Sequence, residues 1–142
     1  MNAEQIALVQ SSFETVKPIA DEAAALFYGR LFETAPHVKP LFRGDMAAQG
    51  KKLMATIAVV VGGLDRLETV LPAASALAKR HVEYGVRAAD YDAVGAALLW
   101  TLERGLGAAW TPAVAEAWTE AYGVLSGYMI AEAYGGGSRA AE

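Results

Sequence analysis

Alternating runs of β-branched and aromatic residues, the mark of strands, are nearly missing from this chain, while alanine and leucine recur at helical spacing along most of it. A chain that builds no sheet must bury its apolar faces helix against helix. The prolines, glycines and capping residues then decide where the helices are cut. Asn2, with Gln5 three residues on, makes a capping-box start. The first helix is expected to fade near Lys17, because Pro18 disfavours the α conformation in the residue before it. Pro18 suits the first turn of a second helix reaching about Glu33. A proline-bounded turn from Pro36 to Phe42 leads into the loop Arg43-Gly44-Asp45. Asp45 is expected to cap a long helix ending near Gly62-Gly63, and Asp65 a short one after it. Pro72 is expected to open a helix that stops at Gly85. Asp90 should cap the next, from Tyr91 to about Gly107, and Thr111-Pro112 should start the last, to about Ala133.

This pattern predicts an all-α fold of seven to eight helices of unequal length, which is not a simple four-helix bundle. Helices crossing steeply around a cofactor pocket fit it better. One domain is expected over residues 1–134, with GGGSRAAE at 135–142 as a flexible tail.

Composition removes several functions. The 142 residues include no cysteine, so there is no disulfide framework, thiolate metal site or cysteine nucleophile. Twelve basic against sixteen acidic side chains, with no basic stripe, argue against nucleic acid. The start, MNAEQIALVQ, has no basic region of the signal-peptide kind. The longest apolar run, ATIAVVVGGL, is too short to span a bilayer. A cytoplasmic protein without a membrane span is the expectation. No phosphate loop, Ser-His-acid arrangement or paired catalytic carboxylate can be picked out.

The side chains that could carry chemistry are few. Only two histidines occur, His37 and His81. His37 lies between Pro36 and Val38 and reads as a surface residue. His81 lies inside a helix with Leu77 four residues earlier, on the same face and about 6 Å away along the axis. By spacing alone it reads sooner as an idle surface or core histidine than as a ligand. Zinc and di-iron sites need several clustered ligands, and none stand beside it. Haem differs, because the porphyrin supplies four ligands and one axial histidine completes them.

Between Leu26 and Phe42, a wide apolar helix face carries one polar exception, Tyr28. Facing inward, its hydroxyl needs a partner; facing outward, it needs none. Phe42 suits either a core plug or a flat wall against an aromatic ligand. Gln49, Leu53 and Ile57 share one stripe at i, i+4, i+8, with Gln49 as its polar head, aimed inward or solvated. Leu98, Leu99, Leu102 and Leu106 on one helix, and Trp118, Tyr122, Leu125 and Met129 on the last, read as core.

Taken together, FYGRLF with Tyr28, APHVKPLF with Phe42, QGKKLMAT with Gln49 and Leu53, KRHVEYGV with His81, DYDAVG with Tyr91, and EAWTEAYGV occur in one order. In these motifs the chain resembles bacterial single-domain haemoglobins and the globin module of flavohaemoglobins, over residues 5–132. Gln49 and His81 stand 32 positions apart, as the resemblance requires. It implies a globin fold around haem b. His81 would be the proximal iron ligand and Tyr28, Gln49 and Leu53 the distal pocket. Phe42, Ile57, Leu77, Val86 and Tyr91 would line the haem, with Phe42 stacked on the porphyrin and Tyr91 orienting His81. The implied ligands are oxygen, nitric oxide and carbon monoxide.

The implied function is tight, reversible oxygen binding at a five-coordinate iron. The alternative is a nitric oxide dioxygenase or peroxidase served by a separate reductase. The chain would be a monomer or homodimer. One departure bears on that choice. The flavohaemoglobin pattern joins a glutamate of the last helix to the proximal histidine and tyrosine. Here Ala133 takes the aligned position and Glu132 comes one residue early, about 100° around the helix.

Overall fold

The computed structural model describes residues 1–42 and 44–141, with side chains to residue 134; Arg43 and Glu142 lie outside the described residues. Of the expected flexible tail, 135–142, only the backbone to Ala141 is described, as a continuation of the last helix past the end expected near Ala133. Among the described residues there are six α-helices and no strand: α1 Ala3–Val16, α2 Ala20–Thr34, α3 Met46–Gly62, α4 Leu67–Glu83, α5 Asp90–Leu106 and α6 Pro112–Ala141. Short 3-10 turns at Lys17–Ile19, Pro36–Leu41, Leu64–Arg66 and Gly107–Ala109 make most of the corners.

Several starts form as the sequence requires. Asn2 and Gln5 complete the capping box on α1. The Asp45 carboxylate accepts from the Ala47 N–H at 2.9 Å, and Thr111 Oγ1 accepts from the Val114 N–H at 3.2 Å. Pro18 falls in a 3-10 turn between α1 and α2 rather than in the first turn of α2.

The expected pair of helices around Pro72 is a single one. Helix α4 begins at Leu67 and runs through Pro72, with Arg66 at its cap position and no side-chain cap from Asp65. Pro72 is the sixth residue of α4, so it withholds a hydrogen bond only from the Glu68 carbonyl, and the helix absorbs that loss. Six α-helices therefore replace the seven to eight expected. Asp90 does not cap α5 either; it is the first helical residue, and its carboxylate reaches back to the Arg87 N–H at 2.9 Å.

The interior has three apolar regions. The largest joins α1, α3, α5 and α6 around Val9, Phe13, Val16, Leu102 and Trp118. Burying a side chain such as Phe13 contributes about 1.5–3 kcal/mol. The Trp118 indole N–H is satisfied there by Ser12 Oγ at 2.8 Å, and Ser12 in turn donates to the Leu8 carbonyl at 2.7 Å. A second region lies under α2, the 36–41 turn and the first half of α5, and a third between α4, the start of α5 and α6. The main helix contacts are α4 on α6, α2 on α5, α1 on α6 and α2 on α3. The second and third regions form the two walls on which the candidate site residues sit.

Candidate haem site

On one wall, Tyr28 projects from α2 into a cluster of rings and is buried. Its ring meets Phe27, Phe42 and Phe32 at centroid distances of 5.0, 5.3 and 5.9 Å, and Phe32 meets Phe42 at 5.4 Å. Edge-to-face contacts of this kind hold the phenol in one orientation. Phe42, just past the turn, closes the cluster.

Gln49 arrives from α3. It is placed by its neighbour Gly50, where a Cβ would stand 2.9 Å from that of Ala24, so α3 crosses α2 closely at this point. Ala24 is one turn before Tyr28, and the crossing brings the Gln49 amide to the phenol. Burial pushes the Tyr28 pKa up, and the Gln49 side chain draws it partly back. The hydroxyl is thus a neutral donor at physiological pH. Leu53, one turn along α3, packs on the same aromatic region. Ile57, a further turn along, packs on the large core instead.

On the other wall, His81 stands near the end of α4, which stops where Gly85 takes φ +96°, a left-handed turn that favours glycine. Leu77 and Val86 pack with Ala78, Tyr91 and Met129 on this wall. Burial pushes the His81 pKa below its ordinary value, the Arg80 charge adds to this, and the Leu77 carbonyl opposes it. The imidazole is therefore neutral near pH 7, the form that binds a metal. Its Nδ1 is buried without a hydrogen-bond partner; the Leu77 carbonyl influences it without reaching bonding geometry.

Tyr91 lies beside His81, ring centroids 6.3 Å apart and planes at 33°, but its hydroxyl too is buried without a partner. Burial, with the nearby Tyr134, pushes its pKa up to about 12. The structure brings the two rings together without a hydrogen bond between them. Glu132 faces away from both, accepting from Ser75 Oγ at 2.7 Å.

His37 is exposed, as expected, but it is not idle: its Nε2 lies 2.9 Å from Oδ1 of the buried Asp90. The side chains that sequence reasoning missed are Tyr122 and Tyr134, which donate to the Tyr91 and Val86 carbonyls. No spacing pattern announces a side chain whose partner is a distant carbonyl.

These residues fit haem. Among the described residues no group of three or more His, Asp or Glu side chains could hold a metal ion by itself. A neutral histidine flanked by apolar side chains, and elsewhere one hydroxyl–amide pair inside an aromatic cluster, suit a cofactor that brings its own four nitrogens and asks the protein for a single ligand. The globin family model matches residues 25–129. The chain belongs to the globin family.

As a globin it is 31% identical over 133 residues to the flavohemoproteins of Rhodopirellula baltica and Bordetella parapertussis, matching 92% of this chain and 33% of theirs. That of Oceanobacillus iheyensis is 29% identical over 126 residues. The chain thus spans about a third of the length of these curated relatives. Its fold matches a bacterial globin from Campylobacter jejuni with a TM-score of 0.81 at 26% identity, covering 93% of this chain and 96% of that one. The cofactor of this globin is haem b. No helix among the described residues is long and apolar enough to cross a membrane.

Proposed function

We propose that this globin reversibly and tightly binds oxygen, with His81 as the proximal ligand and Tyr28 and Gln49 as the distal donors. The observation that carries the reading is the convergence of a buried neutral hydroxyl from α2 with an amide from α3, inside an otherwise apolar wall. Haem held by His81 would supply an iron able to bind a diatomic gas. His81 contributes its Nε2, because the other ring nitrogen is turned into the protein. Tyr28 would donate its O–H, and Gln49 its N–H, to a bound gas that gathers negative charge. Hydrogen bonds to a charged acceptor are the strong ones, roughly 1.5–3 kcal/mol each. Phe42 and Leu53 keep water from competing for those donors.

Nitric oxide dioxygenation with a separate reductase is the second reading, favoured by the likeness to flavohemoproteins. Against it, the Glu132 carboxylate is engaged by Ser75, and the Tyr91 hydroxyl beside His81 has no carboxylate on it. Spectra of the purified protein, oxidised, reduced and with carbon monoxide, test haem ligation. Steady-state nitric oxide consumption with a generic reductase separates the two readings. Slow consumption is expected, and sustained turnover on the order of 10 per second would favour the enzyme.

A further inference from the structure

His81 has no side chain bonded to its buried ring nitrogen, and the tyrosine beside it bonds to nothing. Its ring is therefore aimed by the backbone that carries it. That backbone is held from one direction. Upstream of His81, the buried Ser75 on α4 donates to Glu132 on α6 at 2.7 Å. Downstream, the Tyr134 hydroxyl of α6 donates to the Val86 carbonyl. Val86 is itself tied to His81, its N–H donating to the His81 carbonyl at 2.9 Å. Both backbone polar groups of Val86 are thus committed, its N–H to His81 and its carbonyl to α6. Between the two attachments, Ala78, Leu77, Met129 and Tyr134 fill the space.

We propose that Tyr134 and Glu132 are positioning residues for His81, gripping α4 and the corner after it on either side of the histidine and so fixing the direction of its ring. This rests on the reading of His81 as the proximal ligand. Neither residue touches the cofactor; each acts through α4. The carboxylate at 132 needs only to accept a hydrogen bond, which an amide oxygen also does.

The variants are Tyr134→Phe, Glu132→Ala and Glu132→Gln, in the haem-loaded protein as purified. Two readouts are taken: the iron–histidine stretching band of the ferrous protein by resonance Raman, and hydrogen exchange at the Val86 amide. In Tyr134→Phe the band is expected to shift or broaden, and Val86 exchange to rise roughly 2- to 10-fold. Glu132→Ala is expected to disturb the band and Glu132→Gln to restore it. Since Glu132 is exposed, its variants keep the test open should Tyr134→Phe fold poorly. A band unchanged in position and width in Tyr134→Phe and Glu132→Ala, even with faster exchange at Val86, would overturn the proposal, since the contacts would then be packing alone. Absence of any iron–histidine band in the wild type would instead refute His81 as the ligand, and unchanged Val86 exchange in Tyr134→Phe would then dispose of the grip as well.

Discussion

On the distal wall the polar groups are side chains, Tyr28 and Gln49, brought from two helices onto each other inside a cage of phenylalanine rings. On the proximal wall the tyrosines turn to the backbone instead. Tyr122 holds the Tyr91 carbonyl at 2.6 Å and Tyr134 holds that of Val86, while the Tyr91 hydroxyl and His81 Nδ1 bond to nothing. The difference separates two tasks. On the proposed function the Tyr28 hydroxyl would act on a ligand, whereas the bonded hydroxyls of Tyr122 and Tyr134 act on the frame. Removing one oxygen atom should therefore mean different things on the two sides.

The heaviest blow to this contrast is His81→Ala. It should speed haem loss by more than about 100-fold, beyond the 10–100-fold typical of a ligand's supporting partners. Imidazole should partly restore the bound form. Retention of haem at the wild-type rate without imidazole would remove the proximal wall from the site.

Next comes Tyr28→Phe, expected to raise the oxygen dissociation rate roughly 10–100-fold through the loss of a charge-assisted hydrogen bond. Carbon monoxide, which carries less charge when bound, should dissociate nearly as before. Stopped-flow rates for the two gases decide it; equal changes would mean that the ring acts by bulk.

Asp90→Asn addresses the tie between the walls. Burial alone would raise the Asp90 pKa, but the Arg87 N–H, the His37 imidazole and their charges outweigh it and hold the carboxyl below its ordinary range. A carboxyl that binds its proton more weakly when folded stabilises the protein above the usual carboxyl range. That contribution is lost as pH falls through the depressed folded value. Asp90→Asn should cost about 1–2 kcal/mol near neutral pH. Denaturant melts should show the gap to wild type closing in acid, and a gap that widens there would reverse the sign.

The smallest effect should come from Tyr91→Phe. Its hydroxyl is buried and unpartnered, so removing it is expected to leave stability within about 0.5 kcal/mol or raise it slightly. Haem retention should stay at the wild-type level. A loss as large as that of Tyr28→Phe would erase the distinction between the walls.

Much of this was legible in the chain. A lone helical histidine is compatible with haem, so the cofactor could be read once the surrounding motifs agreed. The aromatic wall followed from the inward face of FYGRLF. What resisted reading has physical causes. Pro72 looks like a start, but a proline in the second turn forfeits only one carbonyl partner, and α4 continues through it. Asp90 looks like a cap, but a shift of one residue hands its carboxylate to Arg87 and His37. The resemblance set Tyr91 to orient His81; the two rings lie 6.3 Å apart, and neither the Tyr91 hydroxyl nor His81 Nδ1 has a hydrogen-bond partner. Tyr134 stands next to a run of glycines and binds a carbonyl 48 positions earlier, which no local pattern encodes.

The distances along the chain also set an order of assembly. Tyr28 and Gln49 are 21 positions apart, so these two side chains can meet soon after α3 is made. The attachments that hold α4 span 57 positions, from Ser75 to Glu132, and 48, from Val86 to Tyr134. At roughly 5–20 residues per second of synthesis, the helix bearing His81 waits several seconds for the segment that steadies it. In the nascent polypeptide Tyr28 and Gln49 can meet before α5 arrives to complete their region, whereas α4 stays without its two attachments until α6 is made, so the firm support of His81 becomes a late event of translation.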